Sequence, residues 1–320
     1  MKYYFAPLEG ITSCYFRNVY DKHFKGIDKY YIPFLAPVNH TLSTKSLREI
    51  NPSNNHLSKQ LVPQIISKDV EQTLWCIDYL KSLGYQEVNL NLGCPSPTVI
   101  NKGRGAGLLG DLNVLDEYLK GVFEKASLPI SIKLRIGLKE NNFVDIIKIL
   151  NKYQILELIV HPRTAKDKYT PGTLNLEAID SLDKLTTIPI IYNGDIKTKE
   201  DIEYIKKRFP YIKGIMLGRG IVQHPDILED LDDDTRINKI ANYFKELYQI
   251  SLSNFGWNNT KYYGKEIWSL LIDSFDIPKD LQKRLFNSTK EYEFNSAFEE
   301  ILSTCKINHF VKNGIVDIYN

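Results

Sequence analysis

The stretch EVNLNLGCPSPTVINKGRG, residues 87–105, decides how the chain is to be read. Val88, Leu90 and Leu92 recur at every second position, the period of a β-strand. Cys94-Pro95 ends the run, and a loop rich in Gly, Ser and Pro follows. A strand stops here with a thiol at its tip. A small buried hydrophobe is the structural alternative for a cysteine, but a Cys-Pro turn in a Gly-rich loop is a poor place for core filling.

Similar runs recur on both sides: YYFAPL (3–8), DKYYIPF (28–34), LVPQII (61–66), PISIKLRI (129–136), LELIVHP (156–162), IPIIYNG (188–194) and IKGIMLG (212–218). Helix-periodic segments lie between them. DVEQTLWCIDYLKSLG places Val70, Leu74, Ile77 and Leu80 on one face and stops at Gly84. TKEDIEYIKKRF opens on Thr198 and Asp201 at capping-box spacing, with Asp one carbon shorter than the usual Glu. Eight strand–helix units in about 230 residues predict a (β/α)8 TIM barrel. A doubly wound sheet would carry a Gly-rich fingerprint in its first turn, whereas APLEGIT has one Gly.

The chain has 320 residues, which suits one large domain and a small one. Hydrophobic residues make up 43%, so wholesale disorder is excluded. A net charge of +2 gives no general nucleic-acid coat, so any RNA contact must come from local patches. The four cysteines form no CxxC pair, so no zinc ribbon or thioredoxin motif is indicated and no metal is expected. With no signal-peptide pattern and no long apolar run, a soluble, cytoplasmic protein is expected. The acidic run EDLDDD (229–234) marks a composition change. Residues 1–230 are read as the catalytic barrel and 235–320 as a small helical domain with 11 Lys plus Arg against 10 acids.

Active sites of such barrels lie at the C-terminal strand ends. Those ends carry Pro7 and Leu8, Gln64, Asn91 and Cys94, Lys133, His161 and Arg163, Asn193-Gly194-Asp195, and Gly218-Arg219. Lys133 is either a solvated strand tip or a buried cation in need of an anion. His161 is either a core histidine or a ligand. NGD and GRG occupy the loops after strands seven and eight, where barrels bind phosphate, and Arg219 adds a bidentate donor. A phosphorylated ligand is implied, and FMN is a common large one.

The ordered set APLEG, PQI, NLNLGCPSPTVINKGRGAGLL, IKLRIG, IVHPRT, YNGDI and LGRG resembles the tRNA-dihydrouridine synthases of the bacterial type. The resemblance implies an FMN-binding barrel and a helical tRNA-binding domain. It implies reduction of the carbon 5–carbon 6 double bond of specific uridines in tRNA, with NADPH as reductant. Pro7, Leu8, Gln64, Lys133, His161, Asn193, Gly194, Asp195, Gly218 and Arg219 would hold FMN. Cys94 would be the proton donor. Asn91 would contact the uracil, and Arg163 would lie on the substrate side. Lys102 and Arg104, in the Gly-rich loop itself, are either contacts to RNA phosphates or solvated loop charges. Leu8 stands where the family usually has Met, and Pro162 where it usually has Gly. The loop 95–110 is expected to move as a lid. A monomer without protein partners is expected. Ribosomal RNA or a free pyrimidine are the alternative substrates, and a non-catalytic RNA-binding protein is the alternative class. Cys14, Cys76 and Cys305 are expected in the core.

Overall fold

The computed structural model describes residues 1–308 and 314–319; residues 309–313 and 320 of the expected helical segment lie outside the described residues. The strands are β1 (Lys2–Phe5), β2 (Lys29–Leu35), β3 (Gln60–Ile65), β4 (Val88–Leu92), β5 (Ile130–Arg135), β6 (Leu158–His161), β7 (Ile190–Tyr192) and β8 (Gly214–Leu217). Each pairs in parallel with the next, and β8 pairs with β1 to close the barrel. All eight expected strands are present, and the TIM barrel is the fold.

The two-residue period sorts the strand side chains. Val88, Leu90 and Leu92 join Ile130, Ile132 and Leu134 in the core between strands and helices. Their alternates face inward. Tyr4, Ala6, Tyr31, Val62, Ile159, Ile191 and Met216 form a separate apolar cluster inside the barrel. At the N-terminal end of the strands the interior is charged. Lys29 Nζ lies 2.7 Å from Glu87 and 3.0 Å from Glu157. Tyr4 and Tyr31 donate their hydroxyls to Glu157 at 2.9 and 3.0 Å. Buried charges of both signs with several donors satisfy one another where isolated ones would not.

The helix Val70–Ser82 is capped by Asp69, which accepts from the Gln72 N–H. It ends before Gly84, whose φ of +94° suits glycine. The capping box at Thr198 forms in full, and the shorter Asp201 reaches back to the Thr198 N–H at 3.0 Å. Asp201 also accepts from the Val316 N–H at 2.9 Å, which ties the C-terminal helix Ile315–Tyr319 to the barrel wall.

The acidic run leads into a long helix, Asp233–Leu271, with Asp232 as its cap and an interruption at Gly256 (φ +66°). Tyr243 of this helix packs edge-on against Phe16 of the first barrel helix, Cys14–His23, and against Phe24 at its C-cap, with ring centroids 5.8 and 5.2 Å apart. Tyr263 donates its hydroxyl to the Ile11 carbonyl at 2.8 Å. The helices after the barrel therefore pack on its first βα unit, and one apolar core runs through both. Among the described residues, no helix is long and apolar enough to cross a membrane.

Candidate active site

The C-terminal strand ends surround a cavity of about 340 Å³, within the usual range for small-molecule sites. Twelve of the residues singled out from the sequence line it: Pro7, Leu8, Gln64, Asn91, Cys94, Lys133, His161, Asn193, Gly194, Asp195, Gly218 and Arg219.

The Cys94 loop is held from two sides. Asn91 Oδ1 accepts from the backbone N–H groups of Gly93 at 3.0 Å and Cys94 at 2.9 Å. Arg135 Nε donates to the Gly93 carbonyl at 3.0 Å. Burial pushes the Cys94 thiol up, while Arg135 and Lys133 pull the other way. Cys94 is the half-buried cysteine; Cys14, Cys76 and Cys305 are buried, as expected of core residues.

Lys133 lines the cavity, and its ammonium makes no hydrogen bond or ion pair with any described residue. Burial holds its ammonium down to about 7, and Arg135 adds to the effect. A cation in this position is incomplete until an anion or carbonyl meets it. His161 lies well below its ordinary value, first through burial and then through Arg135, Lys133, Arg163 and Arg219. It is therefore neutral, and its Nε2 faces Arg163 Nη1 at 3.2 Å as the acceptor.

Asp195 has a left-handed backbone, φ +39°, and its carboxylate joins two guanidinium groups. Arg163 grips it through both terminal nitrogens, and Arg219 Nη2 reaches Oδ1 at 3.0 Å. NGD is thus a strand-to-helix turn and not a hairpin, because the helix Lys199–Arg208 follows. Thr12 Oγ1 accepts from the Leu8 N–H at 2.8 Å and braces the loop after β1.

The structure also places three further groups singled out from the sequence. Arg163, expected on the substrate side, is fully buried and does not line the cavity. Its donors are engaged by Asp195, His161, Thr173 Oγ1 and the Thr170 carbonyl. Lys102 is exposed and Arg104 half-buried; neither lines the cavity. The loop 95–110 is free only in its first part, because Ala106, Leu108 and Leu109 are buried in the core. A lid made of the whole loop would have to pull these apolar groups into water.

Tyr169 was not legible as a site residue. It lines the cavity with Arg219 and Arg135 stacked over its ring at 4.7 and 5.0 Å, and His161 at 6.0 Å. It sits in an irregular loop, where no periodicity marks it. Lys197 also lines the cavity. With Lys133, Arg219 and Lys197 against Glu9 and Asp195, and with Arg135 and Arg163 behind them, the cavity favours an anionic ligand. Among the described residues there is no cluster of His, Cys, Asp or Glu able to hold a metal.

The family model described as "Dihydrouridine synthase (Dus)" matches residues 4–300. A "Probable tRNA-dihydrouridine synthase" of Helicobacter pylori is 29% identical over 245 residues, covering 72% of this chain and 70% of the relative. A "tRNA-dihydrouridine(16) synthase" of Yersinia pestis is 28% identical over 239 residues, covering 71% and 75%. A "tRNA-dihydrouridine synthase B" of Pseudomonas aeruginosa is 32% identical over 152 residues, covering 47% and 45%. With a barrel whose strand ends carry the thiol, the unpartnered lysine and the two-loop arginine site, and with a family match over nearly the whole chain, this protein belongs to the dihydrouridine synthase family.

Proposed function

We propose that this protein is a flavin-dependent tRNA-dihydrouridine synthase that reduces the carbon 5–carbon 6 double bond of uridine, with Cys94 as proton donor and NADPH as reductant. The observation that carries the reading is the pairing of Cys94 with Lys133 in one cationic cavity. The thiol is kept protonated by burial, and the lysine lacks a counter-charge.

The residues present fit FMN. Lys133 and Gln64 offer donors to the polar edge of its ring system. Arg219, with Lys197, offers charge to its phosphate. Pro7 and Leu8 supply an apolar wall. FMN, when bound and reduced, supplies hydride to carbon 6 of uracil.

The protein's own part is the proton at carbon 5. A thiol raised above its ordinary value is almost wholly protonated at neutral pH and is a competent general acid. Once the proton has left, Arg135 and Lys133 favour the thiolate electrostatically. Asn91 and Arg135 fix the loop that aims the sulfur. The uridine has to leave its stack to reach the cavity, at a cost of a few kcal/mol. The exposed Lys102 and half-buried Arg104, on the loop beyond Cys94, are suited to meet the RNA backbone there.

The test is incubation of purified protein with NADPH and unmodified tRNA transcripts, with dihydrouridine scored by mass spectrometry. Product with wild type, and a rate lower by about 10²–10⁴-fold with Cys94→Ala, is expected for loss of a general acid. No product on any tRNA from protein that retains FMN would move the substrate to ribosomal RNA or a free pyrimidine.

A further inference from the structure

The Cys94 loop is the upper end of a hydrogen-bond chain that crosses the barrel interior. Asn91 Nδ2 donates to Gln64 Oε1 at 2.8 Å, and Gln64 Nε2 donates to Asn89 Oδ1 at 2.7 Å. Asn89 Nδ2 donates to Ser131 Oγ at 3.0 Å, and Ser131 donates to Glu87 Oε1 at 2.8 Å. The other oxygen of Glu87 accepts from Lys29 at 2.7 Å. The chain runs from the active-site rim to the opposite end of the barrel. Asn89, Ser131 and Glu87 are buried and do not line the cavity.

Both ends have a fixed polarity. At the top stand two backbone N–H groups, which can only donate. At the bottom stands a carboxylate held by a lysine, which can only accept. Every amide between them must therefore point its oxygen upward and its nitrogen downward. If one amide reverses, two oxygens or two NH2 groups meet, and the next amide has to reverse as well. Reversal that reaches Asn91 would set its NH2 group against the N–H groups of Gly93 and Cys94. The cap on the Cys94 loop would be lost.

We propose that Asn89, with Ser131 beneath it, is a positioning residue for Cys94: it fixes the orientation of Gln64, and through Gln64 that of Asn91 and the loop bearing the thiol. The catalytic part of this inference rests on the function proposed above, but the loop geometry does not. Gln64 is held in one orientation, so the donor and acceptor it turns toward the cavity are also fixed.

The experiment compares wild type with Asn89→Leu, Asn89→Asp and Ser131→Ala. Leucine removes both ends of the link at similar volume. Aspartate keeps the acceptor that Gln64 needs, and Ser131 can turn its proton toward it. The first readout is the alkylation rate of Cys94 by iodoacetamide in the native protein, because the other three cysteines are buried. The second is dihydrouridine formation at matched FMN content and matched far-UV circular dichroism.

The expected result is a change of about 3-fold or more in alkylation rate for Asn89→Leu. Its kcat should fall by about 10–100-fold, as for a small misplacement of a reacting group. Ser131→Ala should shift both in the same direction by less, and it covers the case in which Asn89→Leu fails to fold. Asn89→Asp should restore both to within about 2-fold of wild type. Wild-type alkylation and turnover in folded Asn89→Leu and Ser131→Ala would overturn the proposal. So would an Asn89→Asp variant as impaired as Asn89→Leu. If wild type makes no dihydrouridine while the alkylation pattern holds, the positioning chain stands and the proposed reaction falls.

Discussion

Asn91 and Cys94 are linked by a single hydrogen bond of 2.9 Å, from the Cys94 backbone N–H to the Asn91 side-chain oxygen. The same oxygen takes the Gly93 N–H at 3.0 Å, so one amide on the last turn of strand sets the path of the loop beyond it. This is an Asx-type turn, in which a short polar side chain replaces a backbone acceptor. It gives the thiol a defined place on the rim without burying it in the core.

Asn91→Ala removes that acceptor and leaves two backbone donors to find water. The expected cost is about 1–3 kcal/mol in stability, with a larger loss in dihydrouridine formation than in FMN content. Thermal unfolding and bound flavin absorbance, measured on the same sample, separate the two.

Lys133 gives a pH signature. With its ammonium held down to about 7 in the folded protein and about 10.4 in the unfolded chain, the unfolded state binds more protons between those values. Without an anionic ligand, stability should therefore rise with pH from about 7 to 10.4. Lys133→Met should flatten that rise and stabilise the ligand-free protein at pH 6 by about 1–2 kcal/mol, while weakening FMN retention. Denaturant titrations across pH, with and without FMN, check both parts. A slope unchanged in Lys133→Met would exclude this lysine as its source.

Arg163 and Arg219 share the Asp195 carboxylate but differ in burial. Arg163 is fully enclosed, whereas Arg219 keeps 38% of its side chain exposed. Arg163→Ala should cost about 3–5 kcal/mol, because it takes the enclosed guanidinium partner from a buried carboxylate and one donor from the Thr170 carbonyl. Arg219→Ala should cost under about 1 kcal/mol in stability, as for other exposed pairs. It should nonetheless weaken FMN binding clearly. Paired measurements of midpoint and flavin dissociation constant test this division.

Gly220 is a steric prediction. A Cβ at this position would lie 1.9 Å from the Ile196 carbonyl oxygen, so the loops after β7 and β8 cannot stay in contact. Gly220→Ala should destabilise the protein by several kcal/mol, in the upper range for single substitutions. Expression yield and melting temperature report it. A melting temperature equal to that of wild type would show that the two loops separate at little cost.

Much of this protein was legible in its sequence because strands and turns are local. The two-residue alternation of Val88, Leu90 and Leu92, repeated along the chain, determined eight strands and hence the barrel. The rule that barrel sites gather at C-terminal strand ends then placed Cys94, Lys133, His161 and Arg219 at one mouth, and the cavity is where that rule put them. Capping chemistry at Thr198 and the stop at Gly84 were equally local.

Tertiary structure decided which of those residues face one another. Alternation says that Asn89, Ser131 and Glu157 point away from the outer core. It does not say that Asn89 meets Ser131, or that Glu157 meets Lys29, because that depends on the stagger of strands around a closed barrel. For the same reason Arg163, two residues beyond His161, turned out to be a buried brace and not a group at the mouth. Tyr169 came from an irregular loop, and only the tertiary structure brings Arg135 and Arg219 over its ring. Local periodicity fixes the side of a strand on which a residue lies, and closure of the barrel fixes its partner.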